Sequence, residues 1–163
     1  MKNIQKYLIV ASLLVGILMT VACGNKADTA STVGETMKAR FQAVVAENPN
    51  ASVIELSDLI LEDKSIPFQG GSMGVEPGLL TGFGNTEITG FDAGVMFGPV
   101  IGSIPFVGYI FELSEGTDAK AFMDTLKQNA DLRWNVCTEA DEVTMDQNGQ
   151  KVFFLMAPTT FEE

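Results

Sequence analysis

The sequence predicts an α+β domain, in which an antiparallel sheet is covered by helices mainly on one face. Three observations predict this fold class. Candidate capping boxes at Thr32 and Ser52 each precede an apolar stripe with helical spacing. Charge-poor runs with strand character follow at 88–97 and 104–113. Near the end of the chain, Asn148-Gly149 is typical of the turn of a β-hairpin.

The first two elements are predicted to form a helical hairpin. Thr32 and Glu35 open a helix that extends to Glu47, and Asn48-Pro49-Asn50 ends it. A second capping box, Ser52 with Glu55, opens a helix to about Asp63. The predicted inward-facing residues are Val33, Met37, Phe41, Val44, Val45, Val53, Leu56, Leu59 and Ile60.

The middle of the chain is rich in glycine and is predicted to supply strands. We expect a short strand at 72–76, a loop at 77–85 and a strand with unequal faces at 88–97. A turn at 98–102 leads to a second strand at 104–113, which is apolar on both faces and is therefore predicted to be central.

A helix and a hairpin complete a predicted β-β-α-β-β unit. Thr117 is the expected cap of a helix from Asp118 to Leu132 or Trp134, because its apolar residues recur on one face. Runs 142–146 and 151–157 then flank the Asn-Gly turn.

The N-terminal segment has the pattern of a secretory signal peptide. Lys2 and Lys6 precede a charge-free run at 7–22, and a small residue stands immediately before Cys23. The apolar run is too short for an ordinary membrane-spanning helix. We therefore expect export of the protein and removal of 1–22.

The sequence Thr20-Val21-Ala22-Cys23 resembles the lipobox of bacterial lipoproteins, with Thr20 where that family prefers leucine. The resemblance implies that the Cys23 thiol carries a diacylglyceryl group and that Cys23 becomes the mature N-terminus. Acyl chains there would anchor the protein to the lipid bilayer at the outer face of the cell membrane. The predicted organisation is a signal peptide at 1–22, a lipidated cysteine with a flexible spacer at 23–31, and one domain at 32–163.

The charge of the chain limits its partners. All 21 acidic residues follow Cys23, whereas Lys2 and Lys6 precede it, so the chain from Cys23 keeps eight basic residues and carries −13. A domain of this charge is not expected to bind nucleic acid, because phosphate binding requires a basic face. A cationic partner or cation binding is one interpretation of the charge, and solubility in the envelope is the other.

The residue types present exclude several kinds of catalytic site. The chain contains no histidine, which removes histidine-dependent nucleophilic catalysis and histidine metal sites. Glu139, Asp141 and Glu142 are close in sequence but lack the spacing of a calcium loop, so we expect a solvated acidic turn. No catalytic residue, metal site or cofactor is predicted, and a carboxylate-dependent enzyme remains an alternative.

Cys137 is the second of two cysteines. If Cys23 carries lipid through its sulfur, Cys137 has no intramolecular disulfide partner. It follows Trp134 and Val136, and we expect it to be a small buried apolar side chain. A thiol-based redox role is an alternative, which would require exposure beside a cation.

One cluster of residues is a candidate binding site. Arg133, Trp134 and Asn135 combine a cation, an aromatic ring and an amide, although a tryptophan at a helix end is also typical of a core anchor. The glycine-rich segment adds Gly70-Gly71 and Phe83, which we expect to be exposed.

Residues 93–111 carry no charge, and glycines recur at every fourth position around them. We expect buried strands here, because Pro99 and Pro105 oppose one continuous helix. A membrane-inserting hairpin is the alternative.

The order of elements in 106–156 is similar to a domain family of unknown function found in small lipoproteins of Gram-positive, mostly anaerobic bacteria. The resemblance lies in a strand, the helix TDAKAFMDTLKQNADL and the hairpin DEVTMDQNGQKVFFLM, about a third of the chain. It implies lipoprotein status and fold, and it transfers no site. We therefore expect a cell-surface lipoprotein that is a non-catalytic binding or accessory module, with an envelope protein as a possible partner.

Overall fold

The computed structural model describes residues 31–101 and 104–161. The predicted signal peptide, Cys23 and almost all of the predicted spacer therefore lie outside the described residues. The elements in chain order are α1 (Val33–Glu47), α2 (Val53–Leu61), β1 (Gly70–Val75), β2 (Gly78–Leu79), β3 (Glu87–Ile88), β4 (Phe91–Pro99), β5 (Val107–Leu113), α3 (Ala119–Asn129), β6 (Glu142–Asn148) and β7 (Lys151–Ala157).

Five strands form one antiparallel sheet in the order β1-β4-β5-β7-β6. This confirms the α+β class and the antiparallel sheet. Strand β7 lies between β5 and β6 because the hairpin turns back towards the sheet centre at Asn148 and Gly149. The predicted loop at 77–85 contains one short strand, β2, which pairs with β3 in a separate two-stranded sheet.

Helices α1 and α2 begin where the capping boxes predict. The Glu35 N–H donates to Thr32 Oγ1 at 3.1 Å, and the Thr32 N–H donates back to the Glu35 carboxylate at 3.3 Å. Ser52 and Glu55 make the same reciprocal pair. Two backbone donors that lack helical partners are satisfied at each start, which fixes both helix boundaries from local sequence.

One face of the sheet packs against α1 and α2. Phe41 of α1 stacks on Phe153 of β7, with ring centroids 5.2 Å apart. The other buried residues of this first core are Val33, Met37, Val44, Val45, Val53, Leu56, Ile60, Val95, Phe97, Phe106, Ile110, Leu155 and Ala157. Alternate residues of the strands thus close one apolar layer against both helices.

The opposite face packs against α3 and the segment around Phe83. Phe122 of α3 contacts Phe111 with ring centroids 5.2 Å apart, and Leu126 is fully buried in the same second core. Two of the three described helices, α1 and α2, thus lie on one face of the sheet, and α3 lies on the other. The physical reason is that β5 and β7 are apolar on both faces, so each face requires a cover.

Helix α3 is shorter than the sequence predicts. Its N-cap is Asp118 rather than Thr117, and the Asp118 side chain accepts from the Ala121 N–H at 3.0 Å. The helix ends at Asn129 instead of Leu132 or Trp134, since Ala130 is extended and the Asp131 N–H donates to the Gly82 carbonyl oxygen at 2.8 Å. A tertiary contact thus replaces the next helical hydrogen bond.

The charge-free run at 93–111 supplies most of β4 and β5, as the buried-strand expectation requires. Gly108 lies opposite Phe97, and the Phe97 ring covers it so closely that an added Cβ would lie 2.2 Å from the ring. Among the described residues, no helix has the length and apolar character needed to cross a membrane.

We expect Gly108→Ala to lower the free energy of unfolding by about 1–3 kcal/mol, because the methyl group would overlap the Phe97 ring in a packed core. Gly74→Ala is the matched control, since an added Cβ there meets its nearest atom at 3.9 Å. Thermal or urea unfolding of the two variants measures the difference. Equal stability of the two variants would contradict the packing described for Gly108.

Candidate functional site

A groove opens beside β1 and β4 on the sheet face that also carries α3. Its volume is about 470 Å³, within the range of ligand-binding clefts. The residues that line the groove include Met73, Met96, Val100, Ile104, Trp134 and Asn135. The lining is thus mostly apolar, with an aromatic ring and an amide group on one side.

Trp134 and Asn135 reach the groove on the irregular segment that follows α3. The Trp134 N–H donates to the Asp131 carbonyl oxygen at 3.1 Å, and the Ala140 N–H donates to the Leu132 carbonyl oxygen at 2.9 Å. Because Asp131 is itself bonded to Gly82, the segment is attached to the loop before β3. Trp134 is only partly buried, so its ring packs against the second core and also borders the groove.

The structure brings together some of the candidate binding residues and separates others. Gly71 lines the groove together with Trp134 and Asn135. Arg133 is not among the lining residues; its side chain is 77% exposed and its Nε lies 3.5 Å from the Glu139 carboxylate.

Phe83 is buried, so the expectation that it is exposed is wrong. It is 1% exposed and packs on Phe154, with ring centroids 4.9 Å apart. Gly82 and Gly84 both have positive φ, and this backbone conformation lets the chain turn tightly around the Phe83 side chain. The glycines on each side favour a tight turn, whereas their composition alone had indicated an exposed loop.

Several large apolar side chains near the groove are exposed. Met73 and Val100 line it and are each 57% exposed. Ile101 follows Val100 and is 84% exposed, and Val136 follows Asn135 and is 96% exposed. Apolar side chains grouped in this way are typical of interaction surfaces on soluble domains. No composition rule singled them out, because the sequence does not show which apolar residues lie at the surface.

A second cavity, of about 550 Å³, lies between Ile104, Phe161 and the acidic turn at 138–141. Its carboxylates already have partners: Glu139 pairs with Arg133, and Asp141 accepts from the Thr159 N–H at 2.9 Å. The described residues contain no group of three or more histidine, cysteine or acidic residues arranged to hold a metal ion. The acidic turn therefore holds the C-terminal segment in place.

Cys137 is exposed, so the expectation that it is a buried apolar side chain is wrong. It lies in the segment 134–139, which contains a turn closed by a hydrogen bond from the Thr138 N–H to the Asn135 carbonyl oxygen. The nearest cation in sequence, Arg133, is paired with Glu139. Exposure alone therefore gives the thiol access to solvent without assigning it chemistry.

Tyr109 of β5 forms a hydrogen bond with a residue that lines the groove. Its hydroxyl donates to the Thr81 carbonyl oxygen at 2.8 Å, and Thr81 is a lining residue. Burial raises the pKa of Tyr109 above its ordinary value, because the phenolate would lose its hydration. Ionisation would also remove the proton that Tyr109 donates to Thr81.

We expect the free energy of unfolding to be independent of Tyr109 ionisation below about pH 10 and to fall above it, as the phenol ionises first in the unfolded chain. Tyr109→Phe should reduce this fall and should cost about 1–3 kcal/mol at neutral pH, since the Thr81 carbonyl loses its donor.

Urea unfolding at several pH values measures both effects on the chain from Cys23, which lacks Tyr7. An ordinary pKa for tyrosinate absorption in the folded protein would contradict the burial of this hydroxyl.

Comparison with known proteins assigns no activity to the groove. No protein-family model matches the chain, no curated protein matches it and no solved structure matches it.

Proposed function

We propose that this protein is a membrane-anchored cell-surface lipoprotein whose domain is a non-catalytic binding or accessory module of the bacterial envelope. The observation that carries the binding role is the apolar groove beside β1 and β4, with exposed Met73 and Val100 at its border. The lipobox-like sequence ending at Cys23 supports the anchored location. The resemblance of 106–156 to a domain of small Gram-positive lipoproteins supports the same location.

The start of the domain is held firmly to the sheet, which suits a tether. The Val33 N–H donates to the Thr159 carbonyl oxygen at 3.0 Å, and the Gly34 N–H donates to the Glu142 carboxylate at 2.8 Å. Glu142 begins β6, so the chain enters the domain at that edge of the sheet. A spacer of eight residues, 24–31, spans at most about 26–29 Å and would keep the domain near the lipid surface.

The proposed partner of the groove is an envelope protein. Apolar side chains at the border favour a protein surface, and the charge of −13 for the chain from Cys23 disfavours nucleic acid. We further propose that the helical hairpin of α1 and α2 and the β-β-α-β-β unit act as one rigid support for this groove. The first core, which both parts share, supports that arrangement.

The two alternative functions have weaker support. A carboxylate-dependent enzyme needs two free carboxylates in a cleft, whereas Glu139 and Asp141 are engaged. A thiol-based function gains the exposure of Cys137 but no cation beside it that is free of a partner among the described contacts.

In-cell photocrosslinking tests the proposal. With a photoreactive residue in place of Val100, we expect a discrete envelope protein to be captured, because this side chain is exposed at the groove. The same residue in place of Lys120, whose side chain is 81% exposed on α3, should capture none. Cys23→Ala should move the protein out of the membrane fraction and weaken the crosslink from position 100, since acyl chains supply the anchoring free energy.

Two outcomes would contradict this account. Retention of the Cys23→Ala variant in the membrane fraction would contradict the proposed lipid anchor at Cys23. Absence of a crosslink from position 100, with the protein labelled at the cell surface, would contradict the proposed role of the groove as a docking site.

A further inference from the structure

We propose that the outer edge of β1 is a docking site at which a basic, extended polypeptide segment adds as a sixth strand of the sheet. The inference deepens the proposed binding function, on which it rests, by naming a second contact surface and the chemistry of the partner. It depends on the hydrogen-bonding pattern of β1, the side chains on each side of it and the distribution of charge.

The register shows which backbone groups of β1 face outward. The Val100 N–H donates to the Gln69 carbonyl oxygen, and these two residues are opposite each other in the register of β1 with β4. Hydrogen-bonded pairs alternate along an antiparallel ladder, so Gly71, Met73 and Val75 bond to β4. The N–H and C=O groups of the alternate residues, 70, 72 and 74, point away from the sheet. Within the described chain, no backbone hydrogen bond uses them.

The two edges of the sheet differ in how they are protected. On the β6 edge, the Glu142 carboxylate accepts from the Gly34 N–H, and the Asp146 carboxylate accepts from Gln42 Nε2 at 2.8 Å. Strand β6 therefore carries charged side chains that are bonded to α1. Strand β1, Gly70–Val75, contains no charged residue and no proline. Charges and prolines are the usual means of preventing unwanted strand pairing. Their absence leaves β1 able to accept another strand.

Exposed apolar side chains lie on both sides of this edge. Met73 points to the groove face and is 57% exposed. On the other face, Ile54 of α2 lies against Gly74 and is 44% exposed. Successive side chains of an added strand would point alternately to these two faces. Main-chain bonds would give affinity, and the groove beside Met73 would select the side chains on one face.

The charge around the edge favours a cationic segment. No lysine or arginine occurs between Lys64 and Lys120, the stretch that supplies β1 to β5. Glu76 follows β1 directly, and Asp58 of α2 and the C-cap residue Glu62 are exposed one and two turns after Ile54. A basic strand would meet these carboxylates, whereas a second copy of this chain would bring its own carboxylates towards them.

The described chain enters the domain at the opposite edge of the sheet from β1. Ser31 and Val33 lie at the β6 side, where Val33 bonds to Thr159. Four strand spacings, roughly 19 Å, separate β6 from β1 across the sheet.

Peptide binding to the mature lipoprotein, extracted in neutral detergent, tests the proposal. The probe is a peptide of about seven residues that alternates lysine and valine, and its matched control alternates glutamate and valine. We expect the basic peptide alone to bind, with amide chemical-shift changes at Gly70, Ser72 and Gly74 and weaker binding at higher salt. Trp134, the single tryptophan, provides a second signal from the groove.

Two pairs of variants separate edge pairing from general attraction. Gly74→Pro removes one outward N–H and should bind at least about tenfold more weakly than Gly74→Ala, which keeps that N–H. Glu76→Lys should weaken binding about threefold to tenfold, while Glu47→Lys, an equal change of charge on α1, should not.

The proposal fails if the basic peptide does not bind, if Gly74→Pro and Gly74→Ala bind it equally, or if the peptide shifts only amides outside β1. It also fails if the protein forms dimers that Gly74→Pro abolishes, since a second copy would then occupy the edge. A groove crosslink in cells without any effect at β1 would leave the binding module standing and remove this site. Peptide binding at β1 without any membrane-bound partner in cells would support the β1 site and contradict the proposed function as an envelope binding module.

Discussion

The burial of both faces of the two central strands is the constraint on which the rest of this structure depends. In β5, Tyr109 and Phe111 enter one core while Ile110 enters the other, and β7 divides its side chains in the same way. Such strands are stable only if both faces are removed from water. Helices α1 and α2 cover one face, and α3 with Phe83 covers the other. Helix α3 ends where the Asp131 N–H bonds to Gly82, next to Phe83, and the same bond attaches the segment that carries Trp134.

Local signals predicted those elements whose boundaries depend on neighbouring residues. The capping boxes at Thr32 and Ser52 and the turn at Asn148 act within a few residues, so the sequence contains nearly all the information that fixes them. The burial of Phe83 and the exposure of Cys137 depend on contacts distant in sequence. Composition misjudged both, because glycine-rich turns and apolar neighbours do not specify which side of a turn faces the core.

The candidate site was predictable in part for the same reason. Trp134 and Asn135 are an unusual combination of residue types and Gly71 belongs to a glycine pair, and the fold places all three at one groove. The open edge of β1 was not predictable, because it depends on the strand order β1-β4-β5-β7-β6. A short uncharged strand such as 70–75 would have no such property in the middle of a sheet. Position in the sheet turns a plain sequence into a surface with unpaired donors and acceptors.

Native-state hydrogen exchange, resolved by residue, tests this account most directly because it reports both the central strands and the edge. We expect the highest protection in β5 and β7 and an alternating pattern of protection along β1. Gly71, Met73 and Val75 should be protected, whereas the amides of residues 70, 72 and 74 should exchange freely. Uniform protection along β1 would mean that its edge is covered, and low protection in β5 would contradict a sheet built on that strand.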